Sequence, residues 1–121
     1  MARDRRIAEG DGRTAELIAL WFLRLKGWRL LAQRYRTPVG EIDLVMRRGN
    51  VTAFIEVKAR ASLEGAVESV SPRQARRIAA AARHFLMADR RAGLQDCRFD
   101  IVAVSPYHWP KHIENAFEGD G

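Results

Sequence analysis

Cysteine is nearly absent from this chain of 121 residues, which contains only Cys97. A single cysteine excludes an internal disulfide and a metal cluster built on cysteines. No apolar run approaches the ~20 residues that a helix needs to cross a bilayer, and the arginine-rich start is not followed by the apolar segment of a signal peptide. The expected compartment is therefore the cytoplasm, with no membrane as partner.

The motifs of several common enzyme classes are also missing. The chain has no phosphate-cradling P-loop, no GxGxxG sequence and no Ser/His/Asp order that needs a catalytic explanation. His108 and His112 have the spacing of zinc ligands on a helix, but Pro110 between them disfavours a helix there. A zinc site is therefore not expected, and the acidic and basic residues are left to carry any chemistry.

Acidic residues are fewer than basic ones, 15 against 21, which gives a net charge of +6 at pH 7. The isoelectric point of 10.4 exceeds the level typical of nucleic-acid-binding domains, although net charge alone separates such proteins poorly from other basic ones. With 47% hydrophobic and 30% charged residues the chain is globular. Its length predicts one domain over residues 13–121, preceded by a flexible basic arm over residues 1–12.

Two short segments, Gly40-Glu41-Ile42-Asp43 and Phe54-Ile55-Glu56-Val57-Lys58, carry three acids and a lysine. The Gly49-Asn50 pair between them is a two-residue hairpin signal, because both residues tolerate positive φ. In the register that this turn sets, Asp43 lies opposite Glu56 and Glu41 lies opposite Lys58. The Cβ atoms of facing residues are roughly 4.5–5.5 Å apart, so two carboxylates can share one cation.

The same register gives the hairpin an apolar face, with Ile42, Leu44 and Met46 opposite Val57, Ile55 and Ala53. We therefore expect one face to be core and the other to carry chemistry. An ordinary solvated strand face with a Glu41–Lys58 ion pair is the alternative. Because facing acids repel each other, the pattern favours a site where a metal ion neutralises them.

The residue types indicate the metal and the reaction. Mg²⁺, or Mn²⁺ in its place, fits a site of this kind, since magnesium takes oxygen ligands and is held by one or two carboxylates. Paired acids also perform general acid/base catalysis, as in glycoside hydrolysis. Lys58 decides between the two, because an ammonium beside a metal helps to activate water or stabilises charge on a phosphate. We interpret Asp43 and Glu56 as metal ligands and, with Lys58, as catalytic residues of phosphodiester hydrolysis.

These motifs resemble those of a known group of enzymes. An acid followed by Glu-x-Lys is similar to the PD-(D/E)xK nuclease superfamily, with Ile42-Asp43 in place of Pro-Asp. The segments GEIDLV, FIEVKAR and RFDIV (residues 40–45, 54–60 and 98–102) resemble the YraN-like family. Those proteins are small bacterial endonucleases by prediction, related to archaeal Holliday-junction resolvases. The similarity runs from about Gly12 to Phe117.

The resemblance implies a restriction-endonuclease-like core, which is an α/β fold with a mixed β-sheet flanked by helices in the order α-β-β-β-α-β. It also implies that Glu16 on the first helix is a further catalytic residue and metal ligand, and that the Arg73-Gln74 pair lies near the metal, with Gln74 as a catalytic residue. Gln74 has a local explanation too, because it completes a capping box with Ser71. Both interpretations of Gln74 stay open.

Helical periodicity occurs twice. Over residues 13–26 the apolar side chains at helical spacing are Ile18, Trp21, Phe22 and Leu25, and Gly27 ends the helix. In the helix that begins after Ser71, the inward stripe is Ala75, Ile78, Ala82 and Phe85. The basic residues predicted to bind nucleic acid are Arg73, Arg76 and Arg77 of this helix and Arg60 before it. A solvated helix face explains these arginines equally well.

Residues 28–35 and 98–105 have the composition of strands. The second helix can serve as a crossover that makes the last strand parallel to a preceding one. Asp100 stands in an apolar run, and a buried acid needs partners. We interpret it first as a structural residue bonded to an arginine or to loop amides, and only second as part of the site.

The sequence therefore predicts a magnesium-dependent endonuclease that acts on nucleic acid, with DNA favoured over RNA and with branched or junction DNA as one candidate substrate. The alternative is a non-catalytic nucleic-acid-binding module that retains the nuclease fold, and a weaker one is a scaffold for another protein. A homodimer is the expected form of an enzyme that cuts a symmetric junction.

Overall fold

The computed structural model describes residues 2–60, 65–93 and 96–118, with side chains described from Gly12 onward except at positions 92 and 93. Its elements are α1 (Ala2–Leu25), β1 (Arg29–Thr37), β2 (Gly40–Arg48), β3 (Val51–Ala59), α2 (Pro72–Ala88), α3 (Arg90–Gly93), β4 (Asp96–Val104) and β5 (Lys111–Ile113). The predicted α/β fold and its order α-β-β-β-α-β are confirmed. The short elements α3 and β5 were not predicted.

The five strands form one mixed sheet in the order β1-β2-β3-β4-β5. Strands β3 and β4 are parallel, and the other neighbours are antiparallel. Parallel neighbours need a long crossover, and α2 lies in the connection between β3 and β4 as predicted. The carboxyl ends of β3 and β4 therefore meet at the same edge of the sheet.

The β2–β3 hairpin has the predicted turn and, next to the turn, the predicted register. Gly49 has a φ of 59°, and pairing runs from Arg48 with Val51 to Leu44 with Ile55. Beyond this point β2 stays paired with β1 as far as Gly40, and β3 stays paired with β4. A gap thus opens between β2 and β3 at the acidic residues.

Both faces of the sheet are buried. The cluster on the α1 side includes Ala19, Leu20, Leu23, Leu44, Met46, Ala53 and Ile55. The cluster on the α2 side includes Ile42, Val45, Phe54, Ile78, Ala81, Ala82 and Phe85. The expectation that one hairpin face is core and the other carries chemistry is therefore wrong. The expectation that Ile42 shares a face with Leu44 is also wrong, because Ile42 packs in the cluster on the α2 side. The reason is that the crossover helix covers the second face of the sheet.

Helix α1 buries a different stripe from the one that the apolar spacing indicates. Its buried side chains are Ala15, Ala19, Leu20 and Leu23. Ile18, Trp21 and Leu25 are exposed instead, Trp21 at 58% and Leu25 at 81%. The helix has two apolar stripes, and the one with alanines allows closer packing on the sheet.

The start of α1 also differs from the prediction. The helix begins at Ala2 rather than at residue 13, so its first turns occupy the segment predicted as an arm. The side chains of residues 2–11 lie outside the described part, and the division into arm and domain stays a prediction. The C-terminal end of α1 agrees better with the prediction, because Gly27 with a φ of 93° lies two residues after the last helical residue, Leu25.

Helix α2 has the predicted start and the predicted buried stripe. The hydroxyl of Ser71 accepts a hydrogen bond from the backbone N–H of Gln74, and Pro72 occupies the first helical position. The stripe of Ala75, Ile78, Ala82 and Phe85 is buried. The helix passes so close to Gly40 of β2 that a Cβ there would collide with the carbonyl oxygen of Arg77. No helix among the described residues is long and apolar enough to span a membrane.

Candidate active site

The acidic residues of the hairpin gather where β2 and β3 separate. A pocket of about 220 Å³ at this place is lined by Glu41, Asp43, Glu56, Gln74, Arg77 and Ile78. A larger open cleft of about 460 Å³ lies between α2 and β4, but its described lining contains none of the acids of the β2–β3 hairpin and does not include Glu16. The small polar pocket is therefore the candidate site, since charge and not volume distinguishes it.

Asp43 explains why the strand pairing ends. Its Oδ2 accepts a hydrogen bond of 2.8 Å from the backbone N–H of Val57, so a carboxylate takes the place of a main-chain acceptor. The pKa of Asp43 is raised to about 6, chiefly by burial, with the charges of Glu16 and Glu41 adding to the increase and the hydrogen bond from Val57 opposing it. Nearby Lys58 lowers it. Asp43 is thus an acid that a cation would stabilise in its ionised form.

Glu56 of β3 is likewise a buried acid close to another negative charge. Its pKa is raised to about 7, first by burial and then by the charge of Asp43, while Lys58 opposes both effects. The side chains of Glu56 and Lys58 are only 12% exposed, with 3.6 Å between Oε1 and Nζ. The predicted proximity of the Asp43 and Glu56 charges is present, although the two strands are no longer paired at this level.

Gln74 connects the acid and the lysine. Its Nε2 donates to Glu56 Oε1 at 3.0 Å, and its Oε1 accepts from Lys58 Nζ at 3.2 Å. Only half of the predicted capping box is therefore present: Ser71 caps the backbone N–H of Gln74, while the side chain of Gln74 reaches the site. The amide fixes Glu56 and Lys58 relative to α2.

Glu41 does not face Lys58 as predicted. The pairing of β2 with β3 ends before this level, and Glu41 pairs with Arg36 of β1 across an exposed ion pair of 3.3 Å. The carboxylate still lines the pocket. Because the strands separate here, Lys58 contacts Glu56 and Gln74 instead of Glu41.

Glu16 of α1 does not line the pocket and is already paired with an arginine. Its Oε2 is 2.7 Å from Nε of Arg34, and its charge acts on Asp43. Arg34 has a φ of 51° within β1, the left-handed conformation that non-glycine residues seldom adopt. The sequence contained no signal for Arg34. The role of Glu16 as a metal ligand stays a prediction.

The four predicted nucleic-acid-binding arginines are all exposed. Arg73, Arg76 and Arg77 (the α2 arginines) project from the helix that supplies Gln74, and Arg77 itself lines the pocket. Arg60 directly follows β3, where its backbone N–H donates to the carbonyl oxygen of Val104. All four are thus accessible at the surface, and Arg77 is the one that lines the pocket.

Asp100 is structural, as first interpreted. It is fully buried and accepts hydrogen bonds from Arg98, from the backbone N–H of Asn115 and from His112. Burial alone would raise the pKa of Asp100, but the hydrogen bonds from His112, Arg98 and Asn115 outweigh it and hold the pKa below its usual value. His112 bonds to Asp100 and His108 is exposed, and the expectation against zinc stays a prediction.

The pocket fits a hard divalent cation with few protein ligands. Among the described residues, no group of three or more His, Cys, Asp or Glu side chains is arranged to hold a metal. Asp43 and Glu56 are nevertheless two half-buried acids whose raised pKa values mark a deficit of positive charge. Magnesium is commonly held by one or two carboxylates and keeps several waters, so this donor set fits it.

Fold and site together define a small α/β domain with a carboxylate–lysine centre at a gap in its sheet. The chain belongs to the uncharacterised protein family UPF0102, whose family model matches residues 15–104. It is 49% identical over 115 residues to a UPF0102 protein of Mesorhizobium japonicum, covering 95% of this chain and 92% of that one. A UPF0102 protein of Methylocella silvestris is 45% identical over 119 residues, covering 98% and 96%. The resemblance to YraN-like proteins is thereby confirmed at the level of the family.

Proposed function

We propose that this protein is a magnesium-dependent endonuclease of the PD-(D/E)xK superfamily that hydrolyses phosphodiester bonds in DNA. The observation that carries the proposal is the pocket in which Asp43 and Glu56, both with raised pKa, lie beside Lys58. Two acids and a lysine in one half-buried site suit a polyanionic substrate that arrives with a divalent cation.

Each residue has a distinct role in this proposal. Asp43 and Glu56 hold the cation, which when bound supplies Lewis acidity and lowers the pKa of a coordinated water. Lys58 stabilises the negative charge that develops on the phosphate. Gln74 is a positioning residue, because its amide holds both Glu56 and Lys58. Glu16 contributes negative charge on the α1 side of Asp43.

The surface around the pocket supports DNA as the substrate class. The α2 arginines and Arg60 are exposed, and Arg77 reaches the pocket. Lysine and arginine contacts to phosphates supply most of the sequence-independent affinity for DNA. We further propose action in the cytoplasm, on branched or junction DNA among other forms, and as a homodimer where the substrate is two-fold symmetric.

A cleavage screen tests the proposal. Purified wild type is titrated with Mg²⁺ and Mn²⁺ on single-stranded, duplex, flap and four-way-junction DNA. Asp43→Asn, Glu56→Gln and Lys58→Ala should each lose at least ~100-fold in rate, since each removes charge from the site. The matched control is Glu114→Gln, the same change at a half-exposed acid outside the pocket. Variants that cut as fast as wild type would point to a contaminating nuclease and refute the site.

A non-catalytic nucleic-acid-binding module is the second candidate. The observation that favours it is that no three metal-ligating side chains are grouped among the described residues. Such a module would bind DNA with a steep salt dependence and cut none of the substrates at any metal concentration. A protein scaffold, in contrast, would bind DNA without that dependence or not at all.

A further inference from the structure

The loop between β4 and β5 carries large aromatic side chains that nothing in the described structure covers. Tyr107 is fully exposed and Trp109 is 82% exposed. Both are far more exposed than aromatic side chains usually are, since Trp and Tyr are largely buried on average. Two exposed rings two residues apart in one loop indicate a binding surface rather than chance.

The loop holds these rings in a restricted conformation. Pro106 and Pro110 fix φ on either side of them. Tyr107 adopts a φ of 66°, a left-handed conformation that costs energy for a non-glycine residue. The backbone N–H of His108 closes a turn onto the carbonyl oxygen of Ser105. Such backbone strain is typical of functional loops. A restricted loop also loses little conformational entropy when its side chains bind a ligand.

The topology places this loop at the edge of the sheet where the proposed catalytic lysine lies. Lys58 of β3 pairs with Ala103 of the parallel strand β4, about 4.8 Å away across the ladder. The loop begins immediately after Val104, and three further residues extend at most ~11 Å. That reach corresponds to roughly three nucleotides of one strand at 3.4 Å each.

We propose that Tyr107 and Trp109 are a stacking platform for unpaired bases, so that the enzyme selects DNA with single-stranded nucleotides next to the cleaved bond. The inference rests on the proposed function. Base stacking on aromatic side chains requires the face of the base, which a duplex hides. The exposed basic residues Arg60 and Lys111 flank the loop in the fold and match the charge of a phosphate backbone better than an apolar partner.

The test separates stacking from general binding. Affinity for labelled oligothymidylate and for a blunt duplex of equal length is measured in EDTA, where the proposed cleavage cannot proceed. Tyr107→Ala with Trp109→Ala should weaken binding of the single strand by roughly 5- to 150-fold for each stacked base, with duplex binding unchanged. Tyr107→Phe with Trp109→Phe keeps the ring faces and should bind within about threefold of wild type.

Two further controls keep the result specific. Trp21→Ala removes another exposed tryptophan, on α1, and should leave single-strand affinity unchanged. Tryptophan fluorescence of the wild type should be quenched by oligothymidylate, and Trp109→Phe should lose that quenching while it retains affinity. Because the loop residues are exposed, the melting temperature should stay within about 2 °C of wild type.

Equal losses on single strand and duplex, or no loss on either, would overturn the stacking platform while cleavage by the wild type leaves the nuclease proposal intact. A loss of binding to phosphatidylserine vesicles, with DNA affinity unchanged, would replace it with a membrane contact. If the wild type neither binds nor cuts any nucleic acid, the proposed function fails and the platform fails with it.

Discussion

Removing one charge from the acid pair should stabilise the metal-free protein. Glu56→Gln keeps the size of the side chain and its acceptor oxygen for Gln74, but it ends the burial of a second negative charge beside Asp43. Asp43→Asn does the same from β2 and retains an oxygen for the backbone N–H of Val57. Most substitutions at half-buried positions destabilise a protein, so an increase in stability would be diagnostic.

The magnitude follows from the pKa of Glu56, which rises from 4.5 to about 7 in the fold. Since each pH unit between native and unfolded pKa is worth about 1.4 kcal/mol, the ionised native acid costs roughly 3 kcal/mol at pH 8. The pKa of about 7 already includes the attraction of Lys58, 3.6 Å away, but the neutral amide of the variant still costs free energy to bury, so a net gain of about 1–2 kcal/mol is expected. For a chain of 121 residues this raises Tm by about 4–8 °C.

The sign of the pH dependence provides an independent check. The native pKa values of Asp43 and Glu56 exceed their ordinary values of 3.8 and 4.5. The folded state therefore binds more protons than the unfolded state between pH 4 and 7. The stability that these two acids contribute in their protonated form is fully present below about pH 4, and it is lost as the pH rises through their native pKa values of about 6 and 7. The advantage of Glu56→Gln should accordingly appear at pH 8 and vanish near pH 4.

Thermal melts of wild type, Asp43→Asn and Glu56→Gln in EDTA at pH 8 and pH 4 test this reasoning. Both variants should melt above wild type at the higher pH and together with it at the lower pH. If both melt clearly below wild type at pH 8, the carboxylates are net stabilising acceptors, and the electrostatic argument for a cation at this pocket is refuted.

Further predictions use the same assays. Saturating Mg²⁺, at about 100 times its dissociation constant, should stabilise wild type by ~2.7 kcal/mol and Asp43→Asn much less; equal shifts would place the ion elsewhere. Asp100→Asn should lower stability by at least ~2 kcal/mol without Mg²⁺, because it disturbs a buried and fully bonded acid, and an unchanged Tm would contradict that network. Gly40→Ala should cost ~3 kcal/mol, because the added Cβ meets the backbone of α2, and a melt at the wild-type temperature would mean that the helix can move away. Replacing the α2 arginines by alanine should reduce the salt slope of DNA binding by up to ~3, and an unchanged slope would leave the helix face merely solvated.

Local rules accounted for much of the fold and for part of the site. The Gly49-Asn50 turn set the hairpin register as far as Leu44 and Ile55, and Ser71 with Pro72 set the start of α2. The buried position of Asp100 among apolar residues correctly implied partners. Each of these inferences depends on residues close together in sequence, where steric and hydrogen-bonding preferences act directly.

The sequence by itself determined the six main elements, their order and the presence of two acids and a lysine on neighbouring strands. Only the tertiary structure decided where β2 and β3 separate, because there the carboxylate of Asp43, and not a main-chain carbonyl of β2, accepts from the backbone N–H of Val57. It also decided which apolar stripe of α1 is buried, and that the amide of Gln74 reaches Glu56 and Lys58. These outcomes depend on contacts between residues far apart in the chain, whose energies no local pattern records.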